Sequence, residues 1–372
     1  VSVGEVNAAA ALIENLLTKT NHKILVTTTT PTGSSLLQSR FEDRVEHVYF
    51  PYDFPRVIKR FLRKIKPSIC VVMETELWPN CFYYCQQHKV PVVIVNARLS
   101  EKSVLRYQKL SALTRSTLQS TQKIFAQGRA DAERFVKLGA QTSSVTVIGN
   151  LKFDIQLPSE VRQQGAELRN QWPDYHFIWI AASTHADEEA RLINVHKELL
   201  AAIDKSLLVI VPRHPDRFNE VADICVKSGL KFTTRSSAGL LKEDTRIYLA
   251  DTLGELNILY GAVDAAFVAG SFADIGGHNP LESAAHGIPV ITGPVIHNFA
   301  EIYHNMFEQH AAQKVNNEKD LLSFLIKLST DTRYRQASGQ AANAFLEENS
   351  GGLDVVSEYI IHAIQKHTPP RS

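Results

Sequence analysis

The stretch SLLVIVPRHPDRFNEVADICVKSG, residues 206–229, holds an unbroken apolar run, a polar turn and a helical pattern in that order. Leu207 to Val211 are all Leu, Val or Ile. A run that short, with that many β-branched side chains, suits a strand covered on both faces rather than a helix. In the following RFNEVADICVKSG, Phe218, Val221, Ala222 and Cys225 recur every three or four residues, the spacing of one helical face. A doubly covered strand that runs into a helix is half of a βαβ crossover, and crossovers build parallel sheets.

The same alternation extends in both directions. Upstream lie KILVTTTT (23–30), EHVYF (46–50), SICVVME (68–74), PVVIVNA (91–97), KIFAQ (123–127) and SVTVIG (144–149). NLKFDIQLPSE, 150–160, then breaks the pattern, and a second series follows: HFIWIAAS (176–183), SLLVIVP, RIYLAD (246–251), DAAFVAGS (264–271) and PVITG (289–293). The chain therefore reads as α/β, with two doubly wound units. The expected division is 1–150 for the first unit, 151–158 for a linker and 159–342 for the second. A C-terminal helix over 343–372, carried by GLDVVSEYIIHAIQK, is expected to cross back to the first unit. Such sheets bind ligands outside the carboxyl ends of their strands, so two facing units predict an interdomain cleft.

Composition narrows the function classes. With 372 residues and 44% hydrophobic content the chain can bury two cores. Forty Lys and Arg nearly cancel 39 Asp and Glu, which gives no long-range field for nucleic acid, and no nucleic-acid partner is expected. Cys70, Cys81, Cys85 and Cys225 show neither CxxC spacing nor paired histidines, which argues against a zinc site or a disulfide scaffold and for a reducing cytoplasm; no metal is expected. No apolar run reaches the roughly 18 residues of a membrane span, and no basic leader precedes one. VSV at the start reads as a bare strand end, so the expectation is that an anchor or signal segment lies upstream.

Candidate site residues cluster at strand-to-helix turns. Ser2-Val3-Gly4-Glu5 precedes the helical AAAALIENLLTK, where exposed N–H groups favour an ionised Glu5, either as a general base or as a helix cap. TTTTPTGSS (27–35) is a second such turn, fit for an anion or simply capped. METELWPN places Glu74 and Glu76 two residues apart after a strand, hence on one side if the chain stays extended. Asn150 and Lys152 fall where the units meet. In the second unit Ser183, Thr184 and His185 open a helix, and Arg213 and His214 follow SLLVIVP where a cation meets an anionic ligand. Gly254 marks a further turn. In AGSFADIGGHNPLESAAHG, Gly276 and Gly277 allow close backbone approach, Pro280 suits a first helical turn and Glu282 lies within that turn. A phosphate at that helix start, with a carboxylate for sugar hydroxyls, describes a nucleotide-sugar site. FPRVIKRFLRKIKP segregates Val57, Ile58, Phe61, Leu62 and Ile65 from Arg56, Lys59, Arg60, Arg63 and Lys64. That basic face, within 56–66, is a solvated surface or a contact with an anionic membrane or a polyanionic acceptor.

Taken in order, VSVGEVNAA, ETELWPN, NARLSEKS, GNLKFD, STHADEE, VPRHPDR, GEL, IGGHNPLE and GPVIHNF resemble the Kdo transferase family of lipopolysaccharide core synthesis, from residue 1 to about 300. The resemblance implies a GT-B architecture. It also implies inverting transfer of 3-deoxy-D-manno-octulosonic acid from CMP-Kdo to the lipid A precursor, at the cytoplasmic face of the inner membrane, with an N-terminal anchor. CMP-Kdo is then a donor substrate, and no cofactor is implied. On the family pattern Glu5 is the catalytic base, and Glu76 and Lys152 stabilise the transition state. CMP contacts fall on Arg213, His214, Gly254, Glu255, Leu256, Asn279, Pro280, Leu281 and Glu282, and the N-terminal unit binds the acceptor. The chain departs from the pattern at Ala186-Asp187, where relatives usually carry Gly-Glu, and at Val295, where a histidine is usual. Rival readings are a UDP-sugar transferase or 2-epimerase on the same scaffold, and a non-catalytic membrane adaptor using the basic helix alone.

Overall fold

The computed structural model describes residues 3–155, 157–237 and 241–367. Thirteen strands are found among them: β1 (Leu25–Thr28), β2 (Glu46–Tyr49), β3 (Cys70–Met73), β4 (Val92–Ala97), β5 (Lys123–Ala126), β6 (Val145–Val147), β7 (Phe177–Thr184), β8 (Ser206–Pro212), β9 (Phe232–Thr234), β10 (Ile247–Leu249), β11 (Ala265–Val268), β12 (Val290–Thr292) and β13 (Gln313–Lys314). Every strand pair is parallel. The chain forms two compact units, one of residues 1–154 and 349–372, the other of 155–348.

The larger sheet has the order β13-β12-β11-β7-β8-β10-β9. β7 shows why its sequence is apolar throughout. Phe177, Trp179 and Ala181 pack on one face with Leu192, Leu199, Val221 and Leu325, while Ile178, Ile180 and Ala182 pack on the other with Leu168, Leu259 and Tyr260. The two-residue period of a strand feeds alternate side chains to two cores, each covered by helices. All six are wholly buried, and burial of each large one stabilises the fold by roughly 1.5–3 kcal/mol. The helices cross closely where residues are small: a Cβ on Gly165 would lie 2.9 Å from the Gly261 Cα.

In the other unit β3-β4-β5-β6 form one sheet and β1-β2 a separate parallel pair. Between β1 and β3 lies an apolar cavity of about 250 Å³, lined in part by Leu12, Ile13, Val26, Val71, Met73 and Ile360. Helix Gly352–His367 packs Val356, Ile360 and Ile364 into the same core as Val6, Ala9, Leu12 and Ile13 of helix Val3–Lys19. Its start is pinned by Asp154, whose carboxylate accepts the N–H groups of Gly351 (2.5 Å) and Leu353 (3.0 Å).

Several expectations need amendment. The strand end read at VSV falls on Val1 and Ser2, outside the described residues, and Val3 is already helical. The expected linker includes Gln156, also outside them. The division at 342 falls inside helix Thr332–Asn349, which buries Ala342, Phe345 and Leu346 beyond that point, and the second unit runs on to Glu348. β9 and β13 were not expected; both are short strands at the edges of the large sheet. No helix among the described residues is long and apolar enough to cross a membrane. The basic helix spans Pro55–Ile65 and buries Ile58 and Leu62, but Val57 is 41% exposed, and Tyr52 and Phe54 just before the helix are 83% and 65% exposed. The cysteines are less scattered than their spacing implies. Cys70 on β3 meets Cys81 and Cys85, one turn apart on helix Pro79–Gln87, with the three sulfur atoms within 4.8 Å of one another.

Candidate functional site

In the first unit the strand β3 ends at Met73, and Glu74 takes the left-handed conformation (φ 57°) while its N–H still bonds Val95 O of β4 at 2.9 Å. Extended geometry therefore stops at the first carboxylate, so the condition on which the two acids were placed on one side is not met. The turn nonetheless delivers both acids to one cavity of about 350 Å³, lined by Glu5, Glu74, Thr75, Glu76, Leu77, Trp78, Ser103, Arg106 and Tyr107. Glu5 enters from the first turn of helix Val3–Lys19. The wall is held by Trp78 Nε1 donating to Glu76 Oε2 (3.1 Å), Tyr107 OH donating to Thr75 O (3.0 Å) and Thr75 Oγ1 donating to Arg98 O (2.6 Å).

Three carboxylates around one cavity repel one another, and the group that yields is identifiable. Burial pushes the Glu74 carboxyl above its usual range; Arg98 and Lys152 pull it down, while Glu5 and Glu76 add to the rise. Glu74 thus holds a proton more readily than a solvated carboxyl does. Lys152 is exposed on the turn Leu151–Phe153 and is not part of the cavity wall, but its charge reaches Glu74. That turn is fixed by wholly buried Asn96, whose Oδ1 accepts Leu151 N–H at 3.0 Å. Arg106 and Tyr107 were not anticipated; they belong to helix Glu101–Gln108, where a basic and an aromatic residue read as ordinary helix surface.

In the second unit, β7 has β8 on one side and β11 on the other, and the connections leave it in opposite directions. A parallel sheet is open to ligand at that switch point, beyond the carboxyl ends of its strands. His185 follows β7, Arg213 and His214 follow β8, and the loop from Ala269 to Pro280 follows β11. Arg213 and His214 are exposed, and Arg213 N–H bonds Thr184 O at 3.0 Å. The His185 ring lies 5.4 Å from that of His214, edge to face, and its Nε2 is 2.8 Å from Nε2 of His278. Burial pushes His185 below the usual imidazole range and His278 down to about 4, with the neighbouring imidazoles and Arg213 adding to the second shift.

Glu188 holds these loops together. It is wholly buried, and its carboxylate accepts N–H groups from His185 (3.0 Å), Gly270 (2.8 Å), Ser271 (3.1 Å) and Phe272 (3.0 Å). Its neighbour Glu189 is buried against Arg217 at 2.5 Å. A carboxylate in the first turn of helix Glu188–Ala202 reads in sequence as an answer to the helix dipole, which hides its second partner loop. The glycines are also explained. Gly276 (φ 105°) passes so close to the GPVIHNF loop that a Cβ would sit 2.5 Å from side-chain atoms of His297 and Asn298.

The remaining donor-side residues differ in what they offer. Helix Leu281–Ala285 has only five residues, so the helix start expected to hold a phosphate carries a short dipole. Asn279 Oδ1 accepts Leu281 N–H at 3.1 Å, Pro280 is buried and Leu281 wholly so, leaving backbone as their route to a ligand; Glu282 is partly exposed. Gly254 (φ 80°) has open space around it, and Glu255 is already paired with Arg235 at 2.7 Å, which holds its carboxyl below the usual range. Leu256 begins the next helix beside it.

Residues 1–155 match the family described as 3-Deoxy-D-manno-octulosonic-acid transferase (kdotransferase). The chain is 40% identical over 365 residues to a 3-deoxy-D-manno-octulosonic acid transferase of Haemophilus influenzae, covering 96% of this chain and 86% of the relative. It is 32% identical over 375 residues to a protein of the same name from Bordetella pertussis, at 97% and 86% coverage. A UDP-GlcNAc 2-epimerase from Neisseria meningitidis, solved with UDP-GlcNAc, has a similar fold: TM-score 0.57, 15% identity and 98% of each chain.

Proposed function

From the premise that this chain belongs to the 3-deoxy-D-manno-octulosonic acid transferase family, we propose that it moves Kdo from CMP-Kdo to the lipid A precursor, with inversion at the anomeric carbon. It is a glycosyltransferase of lipopolysaccharide synthesis. The observation that carries the donor assignment is the convergence of Arg213, His214, His185 and the glycine loop at the switch point around β7. Cations at the carboxyl ends of these strands suit a nucleotide phosphate.

In the proposed reaction Glu5 removes the proton of an acceptor hydroxyl, which attacks the anomeric carbon as the bond to CMP breaks. The leaving phosphate gains charge, and Arg213 with the loop through Asn279 stabilises it, the type of preorganised electrostatics that dominates many enzymes. Gly254, Glu255, Leu256, Pro280, Leu281 and Glu282 complete the nucleotide site. Glu76 and Lys152 stabilise charge on the acceptor side. Incubation with CMP-Kdo and a tetraacylated bisphosphorylated disaccharide is expected to give a product heavier by whole Kdo residues, and CMP but not UDP is expected to raise the melting temperature. An unchanged acceptor mass would remove the assignment.

The acceptor is a lipid, and the reading extends to where it is met: the cytoplasmic face of an anionic inner membrane. Arg56, Lys59, Arg60, Arg63 and Lys64 are all exposed on helix Pro55–Ile65, next to exposed Tyr52 and Phe54. Cations beside interfacial aromatics suit an anionic lipid surface. Substituting Arg60, Arg63 and Lys64 by Gln is expected to weaken binding to phosphatidylglycerol vesicles by roughly fivefold per charge at low salt. Equal binding of the variant and the parent chain would count against this contact.

A further inference from the structure

We infer that His185 and His278 act as one proton-accepting element of the donor site: binding of a nucleotide phosphate draws a single proton onto the pair, which then offers two N–H donors. The inference rests on the donor-site reading above.

The geometry sets the stoichiometry. The two Nε2 atoms are 2.8 Å apart with ring planes 5° from parallel, so one hydrogen lies between them and one ring donates while the other accepts. The donating neutral ring has a bare Nδ1, and the accepting ring carries its hydrogen on Nδ1. Neither Nδ1 has a hydrogen-bond partner among the described residues. One further proton fits, on the bare Nδ1. A second would place two N–H groups head to head across 2.8 Å, so the pair titrates as a unit with a capacity of one. Once charged, it presents an N–H at each Nδ1.

The surroundings keep the pair neutral until an anion arrives. Facing it from the turn after β8 are Arg213, His214 and Arg217, which oppose protonation together with burial. On its own helix Glu188 and Glu189 favour it, but Glu188 is occupied by four backbone N–H groups and Glu189 by Arg217. A phosphate beside Arg213 and His214 reverses the sign of that field, and by linkage the proton that comes on with the phosphate also tightens its hold.

Titration calorimetry of the whole chain with CMP at pH 7.5, in buffers of different ionisation enthalpy, tests this. The CMP phosphate, with a second pKa of about 6, is already a dianion there. The expected result is net uptake of a fraction of a proton, at most one, per CMP bound. That uptake is lost in His278→Phe and in His185→Gln, each measured at CMP concentrations high enough to saturate the variant. Binding without uptake in the parent chain, or uptake that survives in both pair variants, overturns the inference and leaves the donor site standing. No CMP binding by the parent chain removes the donor-site reading and the inference together.

Discussion

Glu5→Gln leaves the chain folded and CMP bound with unchanged affinity, while transfer of Kdo falls by roughly 10²–10⁴-fold, the share a positioned general base contributes. Glutamine keeps the shape and the hydrogen-bonding reach of the side chain but has no lone pair basic enough to take the acceptor's proton. The selectivity follows from placement. Glu5 lines the carboxylate cavity of the first unit, whereas the proposed nucleotide site is built from the ends of β7, β8 and β11 in the second. Glu74 is the natural competitor, because it lines the same cavity. Burial raises its carboxyl above the usual range, so proton affinity by itself does not exclude it as the base. A single-turnover assay with both variants decides the matter: activity that survives Glu5→Gln and disappears in Glu74→Gln would reassign the base.

The second large effect concerns stability. Glu188→Ala is expected to destabilise the second unit by about 3–5 kcal/mol, because it removes a buried acceptor and strands the four N–H groups it serves. Glu188→Gln fails differently. Its amide nitrogen is a donor placed where N–H groups already point, so two of them face another N–H instead of an oxygen. Because these groups belong to the loops carrying His185 and the glycine turn, CMP binding should weaken with stability in both variants, and Glu188→Asp should retain more of each than Ala. Denaturant melts with and without CMP measure both quantities. A Glu188→Ala chain as stable as the parent would show that the carboxylate is not what joins the loops.

Much of the fold was open to local reading. SLLVIVP and HFIWIAAS are apolar on both strand faces, and a sheet covered twice has no other composition. β9 and β13 escaped because two or three residues at a sheet edge bury too little to leave a period. The site was legible in part. Arg213 and His214 follow a strand whose end could be seen, and so do Glu74 and Glu76. Arg106 and Tyr107 were hidden, since a helix surface looks the same whether water or a cavity lies beyond it. The proximity of the cysteines was hidden because Cys70 joins Cys81 and Cys85 through strand-to-helix packing and not through a local motif.

Sequence alone determined that this chain builds parallel sheets and which residues stand where its strands end, because alternation and helical spacing are local consequences of backbone geometry. Tertiary structure alone decided which ends are neighbours. His185 and His278 are 93 positions apart and 2.8 Å distant, and Glu188 reaches Gly270 across 82 positions. Strand order brings them together, and strand order follows from how helices pack over the sheet and where its long-range hydrogen bonds close, which no short stretch of residues encodes.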